Sequence, residues 1–389
     1  MRISIVIVLT MISWLFLTAQ PEPPTGHVTN ILGLMGIEEE KLNDIKEDWN
    51  GFIWLARNDG LYRYDGTTLK HYTQSGGPGG LPHNEVLNIL IDHERRELWL
   101  GTSLGLCRLD PVTEKTITYQ FDFSNPNSLA DNVVAYVFKD SDGRIWVGCY
   151  NHGLSLFRDE TDDFQNFYFE IPKIDSLQIV HPNLNESRVN SFKFIIEDNQ
   201  NKNLLWLGTP LGLVGFDKRS GSFRWPFMEK PSEDDYLMKS VNFIYPFEDQ
   251  LLVGTWGSAY VFNIGPGTIE LIRPDVEKNS DFEYVTNIYR TTEGKMWISF
   301  SKGLVSYDME SGQIEKAWAD IPELNQYRGI RLVDSGGRFW IRSSQTTVLY
   351  DPLKQITENF VTEKVIFRQP HVFKKWEEGQ LVLLTSQPD

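Results

Sequence analysis

Short runs of alternating apolar and polar residues recur along the chain and predict β-strands joined by tight turns. Residues 139–157, KDSDGRIWVGCYNHGLSLF, contain the whole unit: an Asp-Gly turn, an apolar run with tryptophan, a polar loop, Gly-Leu and a second alternating run. Asp-Gly between two alternating runs is a strong hairpin signal. Copies recur along the chain, and Leu252 fills the tryptophan position in one of them. The tryptophans at this register are Trp54, Trp99, Trp146, Trp206, Trp297 and Trp340.

The spacing of these anchors predicts a β-propeller. A period of roughly 40–50 residues with about four short strands per unit is typical of that fold. Helical solenoids repeat at similar lengths, but they need a 3.6-residue periodicity that these units lack. We therefore expect an all-β, seven-bladed β-propeller of four-stranded antiparallel blades over residues 41–360, with a partial extra repeat at the C-terminus. Residues 361–389 either begin an eighth repeat or close the ring, and residues 20–40 form a lead-in segment with a strand around Thr29–Leu34.

The repeated residues have structural interpretations within a blade. One large flat side chain per blade fills the gap between neighbouring sheets, so the six anchor tryptophans are predicted to be core residues. The glycines that follow them are expected to supply a positive φ where the second hairpin re-enters the sheet. These glycines are Gly60, Gly105, Gly153, Gly212 and Gly303.

Composition and the N-terminal segment indicate an exported protein that does not bind nucleic acid. Residues 1–19 have a basic start, a short apolar core and a small-residue end, which is the pattern of a signal peptide. The chain has 53 acidic and 37 basic residues, a formal net charge of -16 that disfavours phosphate backbones as partners. Cys107 and Cys149 fall on strands of neighbouring blades, and two buried free thiols are favoured over a disulfide.

Several apparent catalytic motifs have structural explanations in this arrangement. Residues 101–105 match G-x-S-x-G, but a nucleophile elbow joins a strand to a helix, whereas this segment joins two predicted strands. Residues 140–143 lack the register of an EF-hand, and residues 75–80 lack the Lys-Ser/Thr of a phosphate loop. The seven histidines show no zinc spacing. We predict no catalytic residue, no metal and no cofactor.

The copies GFIWLARNDGLYRYDG, RELWLGTSLGLCRLD and GRIWVGCYNHGLSLF resemble the two-component regulator propeller repeat. The L-x-x-N-x-V segments at Leu81–Val86 and Leu129–Val134 fit it as well. The resemblance implies a periplasmic sensor region of a bacterial hybrid two-component system, which signals by phosphorelay and commonly senses glycans or their fragments. Family members usually carry a second propeller, a membrane span and a kinase or DNA-binding module. The implied partners are therefore an oligosaccharide or other small ligand and a downstream membrane-spanning transmitter or second propeller, and a homodimer is left open.

The blade pattern also predicts where a ligand would bind. In an up-and-down blade, the turn between the second and third strands and the connection to the next blade emerge at the same end of the ring. Exposed aromatic rings beside amides and an arginine suit a sugar. An insertion at Glu170–Arg188 is interpreted as a lid or a spacer on that face. The candidate ligand-binding residues are Arg57, Asn58, Asp59, His83, Asn84, Asp131, Asn132, Tyr150, Asn151, His152, Arg188, Asn190, Trp256, Lys302, Tyr327, Arg328, Arg342 and Gln345.

Three classes of function remain open at this stage. The first is the sensor input module, and the second is a free-standing periplasmic glycan-binding or scaffold propeller. The third is a propeller lyase or glycoside hydrolase, which needs two carboxylates at the channel mouth about 5–9.5 Å apart. Asp59 and Asp131 are the loop carboxylates to test for that role.

Overall fold

The structure is a computed structural model that describes residues 27–30, 41–75, 79–169, 190–210, 212–224, 240–256, 258–272, 285–290, 296–300, 303–316, 330–342 and 347–351. These residues form 28 β-strands, arranged as seven four-stranded antiparallel sheets. The predicted all-β propeller of four-stranded blades is confirmed. Within the described residues no helix is long and apolar enough to cross a membrane.

Six blades use four consecutive strands in chain order from the centre of the ring outwards, and blade seven does so for its first three strands. The inner strands are β2 (Leu42–Glu47), β6 (Val86–Asp92), β10 (Val134–Lys139), β14 (Phe194–Glu197), β18 (Val241–Phe247), β22 (Val285–Arg290) and β26 (Ile330–Val333). The second strands are β3 (Ile53–Arg57), β7 (Glu97–Thr102), β11 (Ile145–Cys149), β15 (Leu204–Thr209), β19 (Gln250–Thr255), β23 (Met296–Phe300) and β27 (Phe339–Arg342). The third strands are β4 (Gly60–Tyr64), β8 (Gly105–Leu109), β12 (Leu154–Arg158), β16 (Gly212–Asp217), β20 (Ala259–Asn263), β24 (Gly303–Tyr307) and β28 (Thr347–Asp351). The outer strands are β5 (Leu69–Tyr72), β9 (Thr116–Tyr119), β13 (Asp163–Phe167), β17 (Ser222–Arg224), β21 (Thr268–Ile272), β25 (Ile314–Lys316) and, in blade seven, β1 (His27–Asn30).

The N-terminal strand closes the ring. β1 pairs antiparallel with β28 from His27 opposite Asp351 to Asn30 opposite Val348, so the two ends of the propeller share one sheet. The inner strands contact one another in order around the ring, and β26 also contacts β2. The segment predicted as a lead-in therefore supplies the outer strand of blade seven. The alternative closing segment, residues 361–389, lies outside the described residues.

The anchor tryptophans lie between neighbouring blades, as predicted. Trp54, Trp99, Trp146 and Trp340 are at most 1% exposed and Trp206 is 5% exposed. Trp99, for example, packs with Val147, Phe157 and other residues of the next blade. Leu252 is fully buried at the same register. Trp297 differs, because it is only half-buried.

A buried aspartate clamps the indole N–H in four of the blades. The Oδ2 atoms of Asp48, Asp140, Asp198 and Asp334 accept hydrogen bonds from the anchor indoles at 2.7–3.0 Å. The Oδ1 atom of the same aspartate accepts backbone N–H groups of its turn, as Asp140 does from Asp142 and Arg144. One carboxylate thus satisfies both the turn and the buried indole, and this explains residues 140–143 without a bound ion. Among the described residues, no cluster of His, Cys, Asp or Glu could hold a metal.

The other sequence motifs also have their predicted structural explanations. Residues 101–105 contain the end of β7, a two-residue turn and the start of β8, which is a strand-to-strand connection. Cys107 and Cys149 are buried free thiols, and burial raises the pKa of each to about 12. Gly105 has a φ of 123°, and a Cβ there would lie 2.5 Å from the carbonyl oxygen of Tyr119. Glycine is therefore required at that position both for its backbone conformation and for the approach of the outer strand.

A buried lysine joins blades three and four and makes stability depend on pH. The Lys218 Nζ atom lies 2.9 Å from Asp140 Oδ2 and 2.6 Å from Glu197 Oε1, and its side chain is 1% exposed. Burial alone would raise the pKa of both carboxyls. Hydrogen bonds from Trp146 and Lys218 outweigh burial and lower the pKa of Asp140, and those from Lys218 and Ser141 do the same for Glu197.

We expect the free energy of unfolding to fall as the pH drops below about 4. The folded pKa values lie below those of the unfolded chain, so this stabilisation is present above the unfolded pKa and is lost as the pH falls through the folded one. Urea denaturation followed by circular dichroism between pH 7 and pH 3 would measure it. The Glu197→Gln variant removes one titrating group, so its free energy of unfolding should fall less steeply as the pH drops. If the free energy of unfolding falls as steeply as in the wild type, other carboxyls cause the pH dependence.

Candidate ligand-binding site

The two predicted sets of loops meet at one face of the ring, which we call the loop face. Backbone hydrogen bonds join the turns between second and third strands to the connections between blades. Gly105 N donates to Asn132 O at 2.6 Å, and Gly153 N donates to Asn190 O at 2.9 Å. Tyr150 N donates to Val133 O at 2.8 Å in the same way. The predicted topology of this face is therefore present in the structure.

Three of the candidate asparagines share one structural role. The side-chain oxygens of Asn84, Asn132 and Asn190 accept the backbone N–H groups of Gln74, Phe121 and Phe169 at 2.6–2.8 Å. Each bond ties a connection to the end of the preceding outer strand. These amide oxygens are thus used by the fold itself, and the repeated L-x-x-N-x-V segment has a structural reason.

The candidate residues of blade one are also engaged within the protein. Arg57 is 1% exposed, and its guanidinium donates to both carboxylate oxygens of Asp59 at 2.9 and 3.0 Å. The Tyr62 hydroxyl donates to Asp59 as well. Burial opposes ionisation of Asp59, but the bonds from Arg57 and Tyr62 lower its pKa. Asn58 accepts a hydrogen bond from Asn43 at 2.9 Å.

The candidate residues of blade three form a more open group. Asp131 Oδ2 accepts the backbone N–H of Asn151 at 3.2 Å and lies 3.4 Å from Nδ1 of His152. The His152 side chain is 64% exposed. Tyr150 is 44% exposed, and the Nζ atom of Lys193 lies 5.5 Å from the centre of its ring. In blade two, His83 is turned to its own backbone, since its Nδ1 accepts the N–H of Glu85 at 3.0 Å.

Exposed aromatic side chains concentrate in the loop-face segments. Trp256 is 58% exposed in the turn after β19, and Tyr168 is 54% exposed in the connection after β13. The backbone N–H of Trp256 donates to Ser240 O, and Lys193 Nζ donates to the Ser240 hydroxyl at 3.5 Å. Ser240 therefore links the Trp256 turn to the lysine beside Tyr150. Among the residues that the structure describes, six of the eight large exposed apolar side chains belong to these segments: Leu104, Phe121, Phe123, Tyr150, Tyr168 and Trp256.

A cavity of about 260 Å³ lies at the centre of the loop face. Its wall is formed where the inner strands begin, together with the turn after β11. The lining residues are Lys41, Leu42, Asn43, Leu87, Ala135, Tyr150, Lys193 and Arg331. The volume is close to the lower end of the range for small-molecule pockets, so the cavity suits one small ligand group.

β-bulges direct the lining side chains into this cavity. In six of the seven blades, the pairing of the inner strand with the second strand is shifted by one residue. In four of these blades the extra residue lines the cavity: Asn43 in β2, Leu87 in β6, Ala135 in β10 and Arg331 in β26. Lys193 holds the corresponding place in blade four, immediately before the residue paired with Gly208. A bulge reorients a side chain locally, and the repeated bulges build the wall of one site from different blades.

Sequence reasoning found Tyr150 but missed the rest of this cavity. The alternating pattern predicts regular inner strands, and the missed polar residues stand in or beside these strands: Lys41, Asn43, Lys193 and Arg331. The extra residue of a bulge carries no composition signal of its own, so the alternation gave no indication of it. Arg342 lies in β27, where only its backbone is described. The whole of the predicted lid or spacer, 170–188, lies outside the described residues, as do the candidates Arg188, Lys302, Tyr327, Arg328 and Gln345.

The fold and this site define a propeller whose loop face presents aromatic and polar groups around a central cavity. A family model for the two component regulator propeller matches residues 128–151, which contain β10 and β11, and so confirms the resemblance of the repeats on this segment. No curated protein sequence matches the chain.

The solved structures that the fold is similar to include extracellular domains assigned to two component systems. One is the extracellular domain of BT3049 from B. thetaiotaomicron, assigned as a hybrid two component system, with a TM-score of 0.62 and 20% identity over 83% of this chain and 41% of that one. The extracellular domain of BT4673 from the same organism has a TM-score of 0.63 and 18% identity, over 86% of this chain and 44% of that one. An ancestral GH74 enzyme has a TM-score of 0.58 and 14% identity, over 80% of this chain and 45% of that one. The chain spans less than half the length of each of these proteins, and at these identities the likeness shows the fold alone.

Proposed function

We propose that this chain is the ligand-sensing propeller of a bacterial two-component signalling system. In this proposal it is exported to the periplasm, binds a glycan or glycan fragment on the loop face and passes the signal to a transmitter outside this chain. The match of residues 128–151 to the regulator propeller and the likeness to extracellular sensor domains support the sensor role. The expected partner, a membrane-spanning transmitter or second propeller, is consistent with a chain that spans 41–44% of those domains.

The observation that carries the choice of ligand is the pair of exposed aromatic rings on the loop face. Tyr150 lines the cavity and Trp256 stands in the next turn but one, and both expose large parts of their rings. Sugars present flat faces of C–H groups that pack on such rings, while hydroxyls take hydrogen bonds from amides and lysines. Without a ligand, the rings of Tyr150 and Trp256 would leave apolar surface exposed to water on a strongly acidic protein.

The geometry gives no support to the hydrolase alternative. A glycosidase needs one carboxyl kept protonated by a raised pKa. Asp59 has a lowered pKa and is bound to Arg57, so it is unsuited to be the general acid. Asp131 already accepts the backbone N–H of Asn151. A role without catalysis therefore fits the described residues better.

We expect at least one member of a panel of oligosaccharides to raise the melting temperature of the protein. For that saccharide, titration calorimetry should show that Trp256→Ala and His152→Ala weaken binding by about tenfold or more each, because a buried aromatic contact commonly carries that much of the affinity. Ile117→Ala, which truncates an exposed residue of β9 away from the loop face, is the matched control and should leave the affinity unchanged. Wild-type affinity in both loop-face variants would place the ligand elsewhere, and no saccharide binding at all would contradict the glycan assignment.

A further inference from the structure

Exposed apolar side chains are concentrated at the outer margin of blade two. Among the described residues, four of the eight large apolar side chains that are exposed lie in one segment, residues 112–123: Val112, Ile117, Phe121 and Phe123. Val112 and Phe123 are 82% and 95% exposed. Single exposed apolar residues are normal on a protein surface, whereas a group of them marks an interaction surface. We call residues 112–123 the blade-two margin.

The strand in the middle of this margin, β9, has an edge without charged side chains. β9 pairs with β8 along one edge and is the last strand of its sheet, so no described strand pairs with its other edge. Thr116–Tyr119 contains no Asp, Glu, Lys, Arg or His, whereas each of the other six outer strands contains at least one of these residues. Charged side chains on an edge strand hinder pairing with another chain. β9 lacks this protection, and its Thr, Ile and Tyr residues favour strand pairing.

Hydrogen bonds hold the residues that follow β9 in a fixed conformation. The backbone N–H of Phe121 donates to the side-chain oxygen of Asn132 at 2.8 Å. Asp122 accepts the backbone N–H and the hydroxyl of Ser124 at 2.9 and 2.7 Å, and its own N–H donates to the Ser128 hydroxyl at 2.9 Å. The exposed rings of this segment are therefore presented on an ordered backbone, which lowers the entropic cost of binding a partner.

The two ends of the blade-two margin complement each other when β9 pairs antiparallel with a second copy of itself. In an antiparallel pair, the residues before the strand in one copy lie beside the residues after it in the other. This arrangement brings Val112 of one copy to the side of Phe123 of the second copy, and Lys115 to the side of Asp122. All four side chains are exposed, and the two-fold axis repeats both contacts. The margin thus matches itself in both apolar surface and charge.

We propose that two copies of this chain associate through the blade-two margin, with β9 paired antiparallel to β9 of the second copy. The homodimer that the sequence leaves open is thereby assigned an interface, in which the two four-stranded sheets of blade two become one continuous sheet. Because the same edge is used by both copies, the two-fold contact closes and does not propagate into a filament. The proposal does not depend on the ligand of the loop face.

Sedimentation equilibrium on the wild-type protein and two variants tests the interface. The wild-type mass should approach twice that of one chain by about 100 μM, where a dimer with a micromolar dissociation constant is mostly formed. Ile117→Glu should raise the dissociation constant by about tenfold or more, because it brings like charges together at an apolar contact. Within its own blade the new carboxylate faces Arg108, so folding should be preserved. Gln165→Glu is the matched control, since exposed Gln165 holds the same register in β13 and should leave the dimer unchanged.

Disulfide cross-linking tests the pairing of the strands directly. Ile117 and Thr118 are exposed in the middle of β9, so a cysteine at one of these positions should lie within disulfide reach of the same residue in the second copy. We expect Ile117→Cys or Thr118→Cys to form a covalent dimer under mild oxidation, and Gln165→Cys to stay monomeric on a non-reducing gel. The native thiols should not interfere, because Cys107 and Cys149 are buried and burial raises the pKa of each to about 12.

The outcomes decide both the partner and the surface. A wild-type protein that stays monomeric at every concentration would overturn the proposal, even if another protein pairs with β9. A dimer that Ile117→Glu leaves intact, or in which neither cysteine cross-links, would have its interface elsewhere. Phe123→Ala provides a second variant that leaves β9 itself unchanged, and it should also weaken the dimer. Because Phe123 is 95% exposed, its urea midpoint should equal that of the wild type, and midpoints of the other variants would exclude unfolding as the cause.

Discussion

Replacing Asp140 with alanine is expected to lower the free energy of unfolding by roughly 3–5 kcal/mol. Asp140 is fully buried and accepts hydrogen bonds from the Trp146 indole, the Arg144 side chain and Lys218, each at 2.9 Å. Its other oxygen holds the turn through the backbone N–H groups of Asp142 and Arg144. Loss of the carboxylate leaves the buried Lys218 with Glu197 at 2.6 Å and the more exposed Asp142 at 3.7 Å, and leaves the indole N–H without its acceptor. Urea denaturation at pH 7 would measure the change.

Two control variants separate the buried cation from the other contacts. Asp48 makes the same contacts to its turn and to the Trp54 indole, and within the described residues it has no ion-pair partner. Asp48→Ala should therefore cost less than Asp140→Ala, by about the penalty of weakening the ion pairs that Asp140 makes with Lys218 and Arg144. Asp159→Ala removes a surface pair with Arg95, whose side chains are 31% and 50% exposed, and should cost about 1 kcal/mol or less. Equal losses for Asp48 and Asp140 would show that Lys218 does not matter to stability.

The blades could be predicted from sequence because the same local pattern recurs in each repeat. The anchor tryptophan, the turn before it and the glycine after it identify two of the four strands, and alternation supplies their faces. The alternating pattern predicts an outer strand at Leu69–Tyr72 and an inner strand at Val86–Ile91. The structure has the first with the same bounds and extends the second by one residue, to Asp92. Such repeats can be identified from sequence because the local pattern of each unit agrees with the global fold.

Ring closure could not be predicted in the same way. The closing strand His27–Asn30 is short and lies far in sequence from its partner Thr347–Asp351. An outer strand needs little more than backbone pairing along one edge, so its four residues carry no tryptophan, turn or glycine of the repeat. The hydrogen bond between Asp140 and the Trp146 indole could not be predicted either. The sequence pattern explains Asp140 by its turn, whereas the bond to Trp146 forms only in the folded hairpin.

The binding site was predicted in part for a related physical reason. The face of the ring followed from topology, and Tyr150 and Trp256 are exposed there. Arg57 looked like a loop cation but is buried with Asp59, whereas Lys193 and Arg331 looked like parts of regular strands but line the cavity. Alternation assigns side chains to faces only while the register is unbroken, and each bulge breaks it by one residue.

Replacing Trp99 with alanine should destabilise the protein by roughly 3–5 kcal/mol, the range for a buried tryptophan. Trp99 is fully buried between blades two and three, and its ring lies 5.0 Å from that of Phe157 and 6.1 Å from that of Tyr119. Its indole N–H also donates to Glu97 at 3.1 Å. Alanine would leave a cavity between two sheets that backbone pairing holds in place, so the gap has little freedom to collapse.

Trp297 provides the matched comparison, because it occupies the same register in blade six but is half-buried. Its ring stacks on Phe339 of the next blade at 5.4 Å. Since the hydrophobic contribution scales with the area removed from water, Trp297→Ala should cost less than Trp99→Ala. Urea denaturation followed by far-ultraviolet circular dichroism would compare the two without relying on the fluorescence of the deleted indole. Equal losses would mean that the register of the repeat, and not the burial of each ring, determines what an anchor contributes.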